Sequence, residues 1–139
     1  MAEVIVSSIG YLKEEIRSGK HVVIADEPLE AGGTDEGPAP YELLLAALGA
    51  CTAMTLQIYA RWKQWPLENV EVSLSHDRIY AQDCAECVTK EGKITRIERY
   101  ISLTGELSDE QKSRLLEIAQ QCPVHRTLTS EISIRDYLD

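Results

Sequence analysis

Four cysteines carry most of the chemical potential of this chain: Cys51, Cys84, Cys87 and Cys122. Two readings of them compete. In the first, Cys84-x-x-Cys87 joins Cys122-x-x-His125 to give the four N and S ligands that tetrahedral zinc accepts. The spacing inside each pair suits zinc, but the 34 residues between the pairs are long for a zinc ribbon. In the second, Cys51 works with Cys122. Cys122 directly precedes Pro123, a residue suited to the first position of a helix, where free N–H groups favour a thiolate. His125 follows three residues later and would stabilise that anion when protonated. Cys51 lies among Gly49, Ala50 and Ala53, which leaves room for a substrate or a second sulfur. Against both stands the plain alternative that a cysteine in an apolar helix is a small hydrophobe.

The elements that must position these residues follow from periodicity. Val4, Val6 and Ile9 sit near period two, and His21–Ala25 is a β-branched run after the turn signal Ser18-Gly19. Tyr11–Arg17 either continues that ribbon or makes a helical turn. Residues 30–40 form a Gly/Pro-rich loop. Pro40 opens a helical stretch over Tyr41–Trp62 that is apolar on nearly every side, the mark of a buried helix. Its small-residue middle, AALGACTA, lets other backbones approach.

Val70, Val72 and Leu74 alternate with polar residues and predict a strand; Ile94, Ile97, Tyr100, Ile101 and Leu103 predict its partner, with Asp83–Gly92 between. Ser108 and Gln111 fit a capping box ahead of a helix to Gln121. Ile132 and Ile134 read as a closing strand, and His76 as a core or interface residue. Asp26 and Glu27 read as turn formers ahead of Pro28 rather than an acid/base pair. The expected fold is one α+β domain over 1–139, with antiparallel strands wrapped around a long buried helix.

The 139 residues are 44% apolar, which excludes a disordered chain, and enough to bury a core without metal or disulfide support. With 14 Lys+Arg against 23 Asp+Glu the net charge is −9, and no basic patch offsets it, so no nucleic-acid partner is expected. The first residues, MAEVIVSSIG, have neither a basic start nor a long apolar stretch. The run Leu43–Cys51 falls far short of the ~20 residues that span a bilayer. A cytoplasmic protein with no membrane partner and mostly reduced cysteines is the expectation.

Two segments carry a resemblance. Gly37–Thr52, GPAPYELLLAALGACT, resembles the first cysteine motif of the OsmC/Ohr family, and Cys122–Leu128, CPVHRTL, is similar to its second. The order of strands and helices agrees over nearly the whole chain. The resemblance implies an intertwined α+β homodimer and a thiol-dependent peroxidase acting on organic hydroperoxides, an antioxidant stress-response activity. Carried over, Cys51 would be the peroxidatic cysteine and Cys122 the resolving one. Cys51 would become a sulfenic acid, Cys122 would condense with it, and a dithiol reductant would restore both, with no metal or organic cofactor.

The motif departs from the family where peroxidase members carry a glutamate ten residues before the first cysteine. Tyr41 stands there, and Glu42, nine residues from Cys51, would point about 180° away on an ideal helix. The family also uses an arginine from the N-terminal strands; Arg17 is the candidate, with Lys20 or His21 as substitutes. Leu48, Met54 and Thr55 are expected to line an apolar substrate pocket, with Tyr41 and His125 completing the binding set.

Cys84 and Cys87 lie outside the family's core pair. A second dithiol relaying electrons to Cys51–Cys122, a zinc clip completed by a partner chain and an incidental pair all stay open. So do two other functions: an OsmC-like protein without efficient peroxidase activity that binds a small apolar or electrophilic ligand, and a zinc-stabilised structural protein using Cys84 and Cys87.

Overall fold

The computed structural model describes residues 3–139 and is an α+β protein whose strands pair antiparallel. Its contacts divide it into two compact units, Met1–Ala46 and Ala47–Asp139.

The first unit is a three-stranded sheet in the order β1 (Ile5–Ser8), β2 (Glu14–Ser18), β3 (His21–Ala25). The ambiguous stretch before Arg17 is therefore ribbon, and the turn at Lys20 is closed by Gly19 at φ 60°. Past β3 the chain folds onto Asp26, which is 2% exposed. Its carboxylate accepts hydrogen bonds from the N–H groups of Glu27, Thr34 and Glu36 and from the Thr34 hydroxyl at 2.6 Å. The Thr34 hydroxyl above all, opposed by burial and helped by the three N–H groups, holds Asp26 below its ordinary pKa. Asp26 is thus the turn former expected, and the clasp of the whole 27–36 loop. A Cβ on Gly33 would strike the Glu27 carbonyl, so only glycine lets the loop pass this close.

Helix α1 (Pro40–Lys63) begins in the first unit and runs into the second. Within the second unit its buried residues are Leu48, Gly49, Thr52, Leu56 and Ala60, a single stripe with helical spacing. Leu56 and Ala60 form the core with Leu115, Ile118 and Ala119, and Trp65, Val70, Ile101 and Leu103 pack around it. At Gly49 an added Cβ would lie 2.7 Å from Leu74 Cδ1, so the small middle of the helix admits a strand side chain.

The helix is not buried all round as its composition predicts: Met54, Ile58 and Trp62 are 64%, 70% and 75% exposed. One apolar stripe meets the core of the second unit, and the other is exposed, with Trp62 touched only along the helix by Tyr59 and Lys63 among the described residues. By length and composition alone α1 could also cross a membrane, because the apolar character continues past Cys51; core helices of soluble proteins satisfy the same criterion.

Strands β4 (Asn69–Tyr80) and β5 (Lys93–Thr104) make a twelve-residue antiparallel ribbon, with Asn69 opposite Thr104 and Tyr80 opposite Lys93. It is longer than the alternation around Val70–Leu74 predicts, and His76 on it is exposed rather than in the core. Helix α2 (Asp109–Ile118) opens with the expected capping box, Gln111 N to Ser108 Oγ at 3.1 Å and Ser108 N to Gln111 Oε1 at 2.9 Å. A 3-10 turn at Ala119–Gln121 leads to α3 (Pro123–Leu128). The closing strand does not form: residues 131–139 have no regular structure and are exposed. Among the described residues β4 and β5 pair only with each other, and the Ile132/Ile134 segment joins neither outer edge.

Candidate functional site

The second unit brings Cys51 and Cys122 together. Helix α1 carries Cys51 half-buried, one residue from its buried stripe. Cys122 caps the start of α3 and is fully buried. The two thiols are close enough to shift each other's ionisation, and the Val124 N–H acts on both sulfurs. His125 N donates to Cys122 Sγ at 3.4 Å. This is the local consequence of Pro123: the chain turns into a helix there, and its first free N–H groups face back to the cap sulfur.

The two sulfurs differ in how readily they ionise. Burial and the adjacent Cys122 sulfur push the Cys51 thiol up, with Val124 N–H and the Thr55 hydroxyl acting the other way. For Cys122 burial opposes ionisation, but the Cys51 thiol and the His125 and Val124 N–H groups outweigh it and bring the pKa below its ordinary value. The Thr52 hydroxyl also lies on Cys122, although its single proton is directed to Leu48 O at 2.7 Å and can serve only one acceptor at a time. Of the two, Cys122 is therefore the more readily ionised.

The charge that faces the pair comes from β5. Arg99 reaches Thr52 Oγ1 at 2.9 Å, Ala119 O at 3.4 Å and His125 Nδ1 at 3.1 Å. Its burial lowers its pKa while both cysteines raise it, Cys122 the more. Arginine stays cationic even so. His125 is held below its ordinary pKa by burial first and Arg99 second. Its ring is thus a neutral acceptor for the guanidinium, and its backbone N–H, not an imidazolium, meets the Cys122 sulfur.

Arg17, the sequence candidate for this role, lies exposed in β2 of the first unit with Glu15 Oε1 at 3.5 Å. Arg99 is the residue sequence reasoning missed. Its signal was present: Ile97, Arg99, Ile101 and Leu103 all turn inward, so a charge interrupts an apolar series. Tyr41 is exposed in the first turn of α1, and Glu42 accepts from Ala39 N at 2.9 Å, closing the helix start. Thr55 reaches Cys51, whereas Met54 is exposed.

A cavity of about 840 Å³ opens beside the site, lined by Leu48, Arg99 and His125. Ile94, Ile97 and Ile101 make its apolar wall along β5, and Cys84 and Cys87 lie at its edge. Those two cysteines are joined as a disulfide, not reduced as expected. The four-ligand set Cys84, Cys87, Cys122 and His125 is not assembled: among the described residues the metal-capable group is Cys84, Glu86 and Cys87. Cys122 and His125 are turned to each other and to Arg99 instead.

A half-buried thiol beside a buried one, faced by a guanidinium, defines a dithiol centre on an α+β fold. The chain belongs to the OsmC-like protein family, whose model matches residues 33–135. No curated protein matches it. Among solved structures it is similar to the OsmC-like protein of Mycoplasma pneumoniae, at 17% identity and TM-score 0.73, covering 92% of this chain and 86% of that one. It is also similar to the organic hydroperoxide resistance protein OsmC of Legionella pneumophila, at 20% identity and TM-score 0.65, covering 91% and 89%. The organic hydroperoxide resistance protein OhrB of Bacillus subtilis is similar at 19% identity and TM-score 0.62, covering 93% and 90%. These likenesses establish the fold.

Proposed function

We propose that the protein reduces organic hydroperoxides with Cys51 and Cys122. One observation supports the reading: the half-buried Cys51 thiol lies beside the buried Cys122, whose ionisation the His125 N–H and Arg99 favour. Only Cys51 retains exposure, so it meets the peroxide. As it attacks, its proton passes to Cys122, which acts as the base. The Cys51 sulfur bonds to one peroxide oxygen, the O–O bond breaks, and the alkoxide leaves as the alcohol after protonation. Cys122 then attacks the Cys51 sulfenic acid, water departs, and a disulfide remains. A dithiol reductant returns two electrons and two protons by exchange. The names of the Legionella and Bacillus proteins support the substrate class.

The same reading takes the protein to be a cytoplasmic homodimer that acts as a single domain. The exposed stripe Met54, Ile58 and Trp62 supports a second copy as its cover. A second reading has support from the cavity, whose 840 Å³ and isoleucine wall suit a small apolar or electrophilic ligand.

One experiment separates the two. Reduced protein receives one equivalent of cumene hydroperoxide, remaining thiols are counted, and disulfides are mapped by peptide mass. Loss of two thiols per peroxide with a Cys51–Cys122 link is expected, abolished by Cys51→Ser. Persistent thiols, or loss unaffected by Cys51→Ser, would overturn the peroxidase reading in favour of ligand binding.

A further inference from the structure

The connection between β4 and β5 holds chemistry that the dithiol centre does not use. The Cys84 sulfur, a Glu86 carboxylate oxygen and the Cys87 sulfur all lie within 4.8 Å of one another. The loop around them is anchored at several points. Lys90 Nζ donates to Cys84 O at 3.0 Å and Ala85 O at 3.4 Å, and Cys84 N donates to Ala81 O at 3.1 Å. Arg96 Nη2 holds Glu86 Oε1 at 3.3 Å, and a carboxylate has a second oxygen to offer. Cys84 is 1% exposed, and both cysteines and Glu86 border the large cavity.

Electron relay to the Cys51–Cys122 pair would need sulfurs of the two pairs in bonding contact, at about 2 Å, whereas Cys84 and Cys87 are bonded to each other and Cys51 and Cys122 act on each other.

We propose that, when its disulfide is reduced, this loop is a binding site for a thiolate-preferring divalent ion of the zinc class, held by Cys84, Glu86 and Cys87. Two thiolates and a carboxylate are the donor set soft and borderline ions select over magnesium or calcium. Three protein ligands leave the fourth tetrahedral position to water or a ligand from the cavity, the arrangement of open zinc sites. The motion required is small: sulfurs about 2 Å apart in a disulfide stand about 3.7 Å apart around zinc. Arg96 orients the carboxylate as outer partners of metal ligands do.

The disulfide is the metal-free, oxidised form of the same loop. In passing to it, two electrons leave the sulfurs, the S–S bond forms and the ion departs. A two-electron thiol oxidant, here a diazene dicarboxamide, takes those electrons with two protons and becomes the hydrazine. This site needs no metal at the Cys51–Cys122 centre and does not depend on its peroxide chemistry.

The test titrates full-length, metal-free protein with Co²⁺ after reduction by a phosphine, reading the sulfur-to-cobalt charge-transfer band, then displaces it with Zn²⁺ and measures bound zinc by mass spectrometry. Equimolar binding is expected in reduced wild type, release on oxidation by the diazene, and retention in the Cys51→Ser/Cys122→Ser protein. Cys84→Ser/Cys87→Ser should lose binding, and Glu86→Gln should weaken it at least about tenfold while keeping the band. Absence of the band in reduced wild type would overturn the proposal. So would metal that stays after oxidation, or that is lost with Cys51 and Cys122. Where a double variant fails to fold, the single Cys84→Ala and Cys51→Ala proteins make the same distinction: the first should lose the band and the second keep it.

Discussion

Replacing Arg99 by methionine isolates the charge that faces the cysteine pair while keeping much of the side chain's bulk. The guanidinium interacts with Cys122 and, more weakly, with Cys51. A unit charge at roughly 4–6 Å and an effective dielectric of about 20 is worth about 3–4 kcal/mol. Arg99 is half-buried, so water screens part of that; halving the figure leaves about 1.5–2 kcal/mol, or a little over one pH unit. The pair titrates as a unit, so the quantity to follow is its first macroscopic ionisation.

In a Cys84→Ser/Cys87→Ser background only Cys51 and Cys122 remain, and their thiolates absorb in the ultraviolet. Arg99→Met should move the first ionisation up by about one pH unit, and Arg99→Lys should recover part of the shift, since a lysine keeps the charge but not the fork. Below that ionisation the thiolate fraction falls about tenfold per unit, and the rate of thiol loss to cumene hydroperoxide should fall with it. A folded Arg99→Met protein whose first ionisation stays in place would refute the assignment of Arg99 as the stabilising charge.

Other expectations follow from local geometry. Gly33→Ala puts a Cβ into the Glu27 backbone and should cost about 2 kcal/mol or more in denaturant unfolding, whereas Gly49→Ala meets only the movable tip of Leu74 and gains helix propensity, so its change should stay within about 1 kcal/mol. Ser108→Ala removes the capping box and should destabilise by about 1 kcal/mol in the same assay. The depressed pKa of Asp26 adds stability that is fully present above the ordinary value of 3.8 and is lost as pH falls through the folded value. The thermal midpoint of Asp26→Asn should therefore lie below that of wild type near neutrality, with the gap closing in acid. A constant gap would show that Asp26 acts through shape rather than charge.

The sequence made the local elements legible and left the distant pairings partly hidden. Ser108 and Gln111 specify their helix start in four residues, and Pro123 dictates the N–H groups that face Cys122. The proximity of Cys51 and Cys122, 71 positions apart, is not written in any local pattern and came from the motif resemblance. The motif resemblance points to N-terminal basic residues and carries no mark of Arg99, whereas the alternation of Ile97, Arg99 and Ile101 places this charge on the inward face of β5. The second apolar stripe of α1 misled in the opposite direction: apolar composition all round predicts burial on every side, yet Met54, Ile58 and Trp62 are exposed. Ile132 and Ile134 show that alternation alone does not make a strand: the segment stays irregular although the outer edges of β4 and β5 are unpaired.

The brevity of α3 has a mechanical meaning. Pro123–Leu128 is six residues, far fewer than the ~12–15 at which an isolated helix becomes even marginally stable in water, and it leads into an irregular tail. What keeps it in place is largely the hydrogen bond between His125 and Arg99 and the cap at Cys122. Cys51, by contrast, rides on a helix of 24 residues whose buried stripe is fixed in the core. Closing two neighbouring sulfurs to a bond of about 2 Å requires one of them to travel. The stiff partner is the long helix and the compliant one is the short, so in the proposed reaction Cys122 is the sulfur expected to travel toward Cys51. Its movement would pull on the contact with Arg99, so the proposed cycle would couple the oxidation state of the pair to the orientation of the residue beside it.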